Sequence, residues 1–131
     1  MIGIDTNVLV RALADVEHPQ HAPAARFLGS RTVDDPGFIT HVTLVELYWV
    51  LRKSYQVGRE AILAVIRALV ETPVFEFEDG ESVVRALALA GEGADFADAL
   101  IQGSMELFGI AETVTFDHDA SRRLGWCRLA G

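Results

Sequence analysis

Ile2-Gly3-Ile4-Asp5-Thr6-Asn7-Val8-Leu9 opens the chain with a change of period. The first three residues make a short apolar run that suits a strand, and Asp5-Thr6-Asn7 ends it. Residues 8–14 then take up helical spacing. The same alternation recurs downstream. Pro19 and Pro23 bracket the start of a helical stretch over 22–30, and Asp34-Asp35-Pro36-Gly37 has the composition of a turn. Phe38-Ile39-Thr40 is a second short strand, followed by a strongly helical run over 42–52. Residues 61–70 place Ile62, Val65, Ile66 and Leu69 on one helix face, and 73–77 form a strand. Residues 82–90 align Val83, Leu87 and Ala90, and 91–94 break the pattern. A helix over 95–108 ends at Gly109, a strand follows at 113–116, and 126–129 is a candidate last strand. Short apolar strands alternating with helices predict an α/β fold with a mostly parallel sheet covered on both sides.

At 131 residues, half of them apolar, the chain is long enough to bury a core as one domain, 1–131. Its net charge is −8, and its basic residues are ten Arg and the single Lys53. Phosphate contacts need positive charge, so this balance taken alone argues against nucleic acid. Two arrangements reverse that argument: acids gathered around a bound metal, or an acidic face covered by a basic partner. The preference for Arg suits forked contacts with phosphate or carboxylate. Cys127 stands alone, which excludes an internal disulfide and fits a reducing compartment. No basic, apolar leader opens the chain and no uncharged run approaches the roughly 18 residues of a membrane span. A soluble cytoplasmic protein is expected.

Most acids flank element ends, as solvated acids do. Five are different. Asp5 ends the first strand, and ligands of open α/β sheets gather at the carboxyl ends of strands. Asp117 holds the same position after Val114-Thr115-Phe116. Either residue could instead cap the helix after it. Glu46 is the only charged residue between Val42 and Leu51. A helix so apolar is expected to be buried on most faces, where an unpaired carboxylate costs several kcal/mol, on the order of 3–5. The alternative is a capping box, Thr43-x-x-Glu46, that leaves Glu46 in the first turn. Asp95 and Asp98 share a helix face about 5–6 Å apart at a helix start. Capping needs one of them, so Asp95 suits the cap and Asp98 the site. Oxygen-only ligation selects hard ions such as Mg²⁺ or Mn²⁺. No Cys/His grouping competes, and His18, His21, His41 and His118 suit ordinary surface positions.

Ile4-Asp5-Thr6-Asn7-Val8-Leu9, Val45-Glu46-Leu47, Asp95-Phe96-Ala97-Asp98-Ala99-Leu100-Ile101 and Val114-Thr115-Phe116-Asp117 together resemble the PIN domain. More closely, they resemble VapC toxins of type II toxin–antitoxin systems. The resemblance extends over nearly the whole chain and includes the order and spacing of the four motifs. It implies a PIN-like three-layer α/β/α fold with a short, mostly parallel central sheet. It implies a Mg²⁺- or Mn²⁺-dependent endoribonuclease, a homodimer, and a VapB-type antitoxin that blocks the site. Matched by position, the catalytic acids are Asp5, Glu46, Asp98 and Asp117. Asp5 and Asp98 would hold the metal, and Glu46 and Asp117 would complete its shell or orient the attacking water. Asp98 precedes Ala-Leu-Ile and matches better than Asp95, which stays a secondary candidate. Thr6 and Thr115 match polar positions beside the metal, with Asn7 in an assisting place. Arg11, Arg52, Lys53, Arg122 and Arg123 are candidates for RNA backbone contacts, or else members of a solvated charged face.

A haloacid-dehalogenase-type phosphatase also begins from an Asp after the first strand. It needs a second Asp two residues on, where this chain has Asn7. The alternative of a different class is a catalytically inactive PIN-like scaffold that only binds partners, against which stands the presence of all four acids. The apolar helix with Tyr48 and Trp49 has more apolar surface than one small sheet needs, which predicts contact with a partner chain.

Overall fold

The change of period at Asp5 is a handover from strand to helix. In the computed structural model, which describes residues 1–130, β1 is Ile2–Gly3 and α1 is Thr6–Ala14. Three further handovers follow, and they fall in two compact units, Met1–Glu78 and Asp79–Gly131.

The first unit continues with α2 (His21–Gly29), β2 (Gly37–Ile39), α3 (His41–Lys53), α4 (Arg59–Val70) and β3 (Phe75–Phe77). Its three strands pair in parallel in the order β1-β2-β3, with Gly3 opposite Phe38 and Ile39 opposite Phe77. The Ile4 amide extends the β1 pairing by donating to the Phe38 carbonyl at 2.9 Å. Parallel strands need long crossovers, which the helices supply. Leu9 of α1, Ile39 of β2, Leu44 and Leu47 of α3, and Ile62 and Ile66 of α4 are fully buried. The first strand is less buried than its composition predicts: Ile4 is buried, whereas Ile2 and Gly3 are exposed.

The second unit contains α5 (Gly80–Gly91), α6 (Phe96–Leu107), β4 (Val114–Thr115), α7 (His118–Leu124) and β5 (Cys127–Arg128). The last two strands form a parallel pair, with Thr115 opposite Arg128. The strands are thus parallel throughout, in one set of three and one of two. Helix α7 has no apolar periodicity in its sequence, and only Ala120 of it is buried. What builds it is capping: the Asp117 side chain accepts from the Ala120 amide at 3.0 Å, and Gly125 ends it at φ +72°. The unit's core is Val83, Ala86 and Leu87 of α5 with Phe96, Ala99 and Leu100 of α6. Among the described residues no helix is long and apolar enough to cross a membrane.

Helices α5 and α6 approach closely where Gly103 meets Ser82. A Cβ on Gly103 would lie 2.8 Å from the Ser82 Cβ and 3.4 Å from its Cα. Gly103→Ala gains about 1 kcal/mol of helix propensity but forces a contact that costs about 1–3 kcal/mol. A net loss near 1 kcal/mol is expected in urea unfolding. Gly91→Ala, which meets nothing within 4 Å, is expected to be neutral or stabilising.

Candidate active-site carboxylates

In the first unit, Asp5 caps α1 from the extended backbone that leaves β1, and its Oδ1 accepts from the Thr6 amide at 2.8 Å. Capping occupies one oxygen and leaves the exposed carboxylate at the strand end. Thr6 is buried, and its hydroxyl donates to Oε1 of Glu46 at 2.8 Å, forty residues away in sequence. Thr6 therefore ties α1 to α3 and holds Glu46 on the same side as Asp5. Asp5, Thr6, Asn7, Val10, Arg11, Glu46 and Val50 line one pocket of about 320 Å³.

Glu46 is neither buried nor part of a capping box, contrary to both expectations from its sequence. The α3 cap is Thr40, whose side chain accepts from the Thr43 amide at 3.2 Å. Thr43 is thus inside the first turn, no Thr43–Glu46 capping box forms, and Glu46 lies in the second turn. Nor is Glu46 buried. Thr43, Leu44, Leu47, Tyr48 and Leu51 form the buried face of α3, while Val42, Glu46 and Trp49 are exposed on the other. Apolar residues all round made the helix look buried all round.

In the second unit, Asp95 caps α6, its Oδ1 accepting from the Asp98 amide at 2.9 Å. This is the division of labour expected of the pair: one cap, one extra anion. Burial, and then the charges of Asp95, Asp117 and Asp119, push the Asp98 carboxyl up to about 6. Asp117 caps α7, and its own amide donates to the Thr115 hydroxyl at 3.0 Å. Asp119 is on the first turn of α7, two residues beyond Asp117. It receives Arg122 at 2.9 Å and Arg123 at 3.2 Å, which hold its carboxyl below the usual range. Glu106 is lowered in the same way beside Arg85, and Asp35 is lowered first by the amino terminus and then by Arg31. Asp98 has no cationic side chain bonded to it among the described residues.

The basic candidates separate as well. Arg122 and Arg123 pair with Asp119, and Arg123 also donates to the Glu92 carbonyl. Arg52 reaches the Val57 carbonyl, and the Lys53 ammonium sits over the Trp49 ring. Arg11 alone of the five lines the pocket with Asp5 and Glu46. Among the described residues, no group of three or more His, Cys, Asp or Glu side chains converges tightly enough to cage a metal ion.

The PIN-domain family model matches residues 2–124, spanning both units. The chain belongs to the PIN-domain family, and its mixed α/β architecture with parallel strands is the PIN fold. Among solved structures it is similar to VapC20 of Mycobacterium tuberculosis, described as a sarcin-ricin-loop-cleaving toxin, at 21% identity over 100% of both chains with a TM-score of 0.46. No curated protein matches it.

The raised Asp98 carboxyl has a signed consequence for stability. The folded protein holds this proton more tightly than the unfolded chain between about pH 4 and 6, so stability falls as pH rises through that window. Asp98→Asn removes the penalty. With the shift discounted for solvent screening, a gain of about 1 kcal/mol is expected at pH 8 in EDTA, vanishing towards pH 4. Denaturant unfolding at the two pH values measures it.

Proposed function

We propose that this PIN-domain protein is a metal-dependent endoribonuclease toxin of the VapC kind, restrained by a VapB-type antitoxin. The observation that carries the reading is Asp98. Three other displaced carboxyls are lowered by a cation, Asp35 first by the amino terminus and then by Arg31, Glu106 by Arg85 and Asp119 by Arg122 and Arg123, whereas Asp98 is raised by burial and by three neighbouring acids. An anion kept in such surroundings is stabilised by a bound cation. The side chains at hand offer oxygen only, which suits Mg²⁺ or Mn²⁺. Mg²⁺ keeps several waters and takes one or two carboxylates, so it needs no cage of three protein acids.

In this reading Asp5 and Asp98 hold the ion, and Glu46 and Asp117 complete its shell or orient the attacking water. When bound, a hard cation polarises the phosphate and makes water a better nucleophile. Thr6 keeps Oε1 of Glu46 engaged and leaves Oε2 to accept from that water. Asn7 and Thr115 supply neutral polar groups beside the acids. The water oxygen bonds to phosphorus, the bond to the 3′ oxygen breaks, and that oxygen takes up a proton. The products are a 5′-phosphate and a 3′-hydroxyl. The acidic net charge also fits a basic antitoxin tail laid against the acids.

RNA cleavage that requires Mg²⁺ or Mn²⁺, and is lost in Asp5→Asn and in Asp98→Asn while both variants still fold, is the expected result. RNA-end mapping in cells expressing the protein or the Asp5→Asn variant measures it. Cleavage that persists in both variants would sink the site assignment, and an inert wild-type protein that still binds its antitoxin would favour the scaffold alternative. The exposed α3 face with Val42 and Trp49 supports a homodimer. A dimer is expected by sedimentation at micromolar concentration, and a monomer would count against it.

A further inference from the structure

We propose that Arg11 is a preorganised phosphate-binding residue of the pocket lined by Asp5 and Glu46, held in place by Gln20, Asp15 and Tyr55; the proposal rests on the ribonuclease reading. Arg11 is in the last turn of α1, and among the described residues it is the one cation lining that pocket. Two carboxylates alone would repel a phosphodiester, so a nearby positive group is what lets the backbone approach.

The guanidinium is fixed from several sides. Its Nε donates to Oε1 of Gln20 at 3.1 Å. Its Nη1 donates to Oδ2 of Asp15 and to the Tyr55 hydroxyl, both at 3.2 Å. The Tyr55 hydroxyl in turn donates to Oδ2 of Asp15 at 2.8 Å. The backbone is tied down as well, with the His21 ring nitrogen 2.8 Å from the Arg11 carbonyl. Nη2 has no partner among the described residues, so its two N–H groups are available to an anion. The planar fork is already ordered, and a phosphate binding there does not have to freeze a mobile side chain.

The plainer role is a structural one: an i,i+4 pair with Asp15 that ties the end of α1 to Tyr55, beyond α3. Salt dependence separates the two roles. Binding to a short, fluorescein-labelled single-stranded RNA of mixed sequence is measured by anisotropy across a salt series, in EDTA and in Mg²⁺. Arg11→Met is expected to weaken binding about tenfold at low salt and to reduce the slope of log K against log salt by about one. Arg11→Lys is expected to restore the slope while recovering only part of the affinity. Tyr55→Phe keeps the charge, so it is expected to weaken binding with the slope unchanged. Unchanged affinity and slope in Arg11→Met, with reduced thermal stability, would leave only the structural tie and overturn the proposal. Wild-type cleavage alongside that result would leave the ribonuclease reading standing. A wild-type protein that neither binds nor cleaves RNA would overturn both.

Discussion

A parallel strand cannot turn back directly; it must hand the chain to a crossover, and the helix that begins there exposes amide groups with no partner. This chain meets that requirement in the same way at four junctions. Asp5 follows β1, Thr40 follows β2, Asp79 follows β3 and Asp117 follows β4, and each side chain accepts from an amide in the first turn of the next helix. The caps that make the helices start also place carboxylates at strand ends. Structural need and chemical opportunity therefore coincide at Asp5 and Asp117, and capping is no argument against function at either.

The charges show where the fold tolerates anions and where it leaves them uncompensated. Asp119 is next to Asp117 and Asp98 in the charge balance, yet it is neutralised by Arg122 and Arg123. Asp35 has Arg31 and the amino terminus. Asp98 has neither, and it is half-buried in the first turn of α6. The helix dipole offers a fractional positive charge there, but burial and three neighbouring acids outweigh it. In the first unit the balance differs: Thr6 satisfies Glu46 with a neutral donor, and the cation at the pocket, Arg11, is held by its own set of partners.

Local information made several features legible. The strand-to-helix alternation, the parallel pairing it implies, Asp95 as cap and Asp98 as the additional anion all follow from spacing, because capping and periodicity act over a few residues. Helix α7 was not legible, since seven residues with one buried side chain leave no periodic trace. The burial that the sequence implies for Glu46 is absent from the structure. The apolar run around Glu46 reads as a helix buried on all sides, but burial is set by what packs against a helix, and only one face of α3 is covered.

The sequence by itself determined the class of fold and the identity of the acids at strand ends and helix starts, because turn chemistry, capping and hydrophobic period are short-range constraints. Only the tertiary structure decided who partners whom. Thr6 with Glu46 and Arg11 with Tyr55 each join residues 40 or more positions apart, and the rise of the Asp98 carboxyl comes first from burial, then from Asp95, and then from Asp117 and Asp119 of another helix junction. Such pairings depend on how helices pack, and no local pattern in the chain encodes the distance between two side chains that meet only after folding.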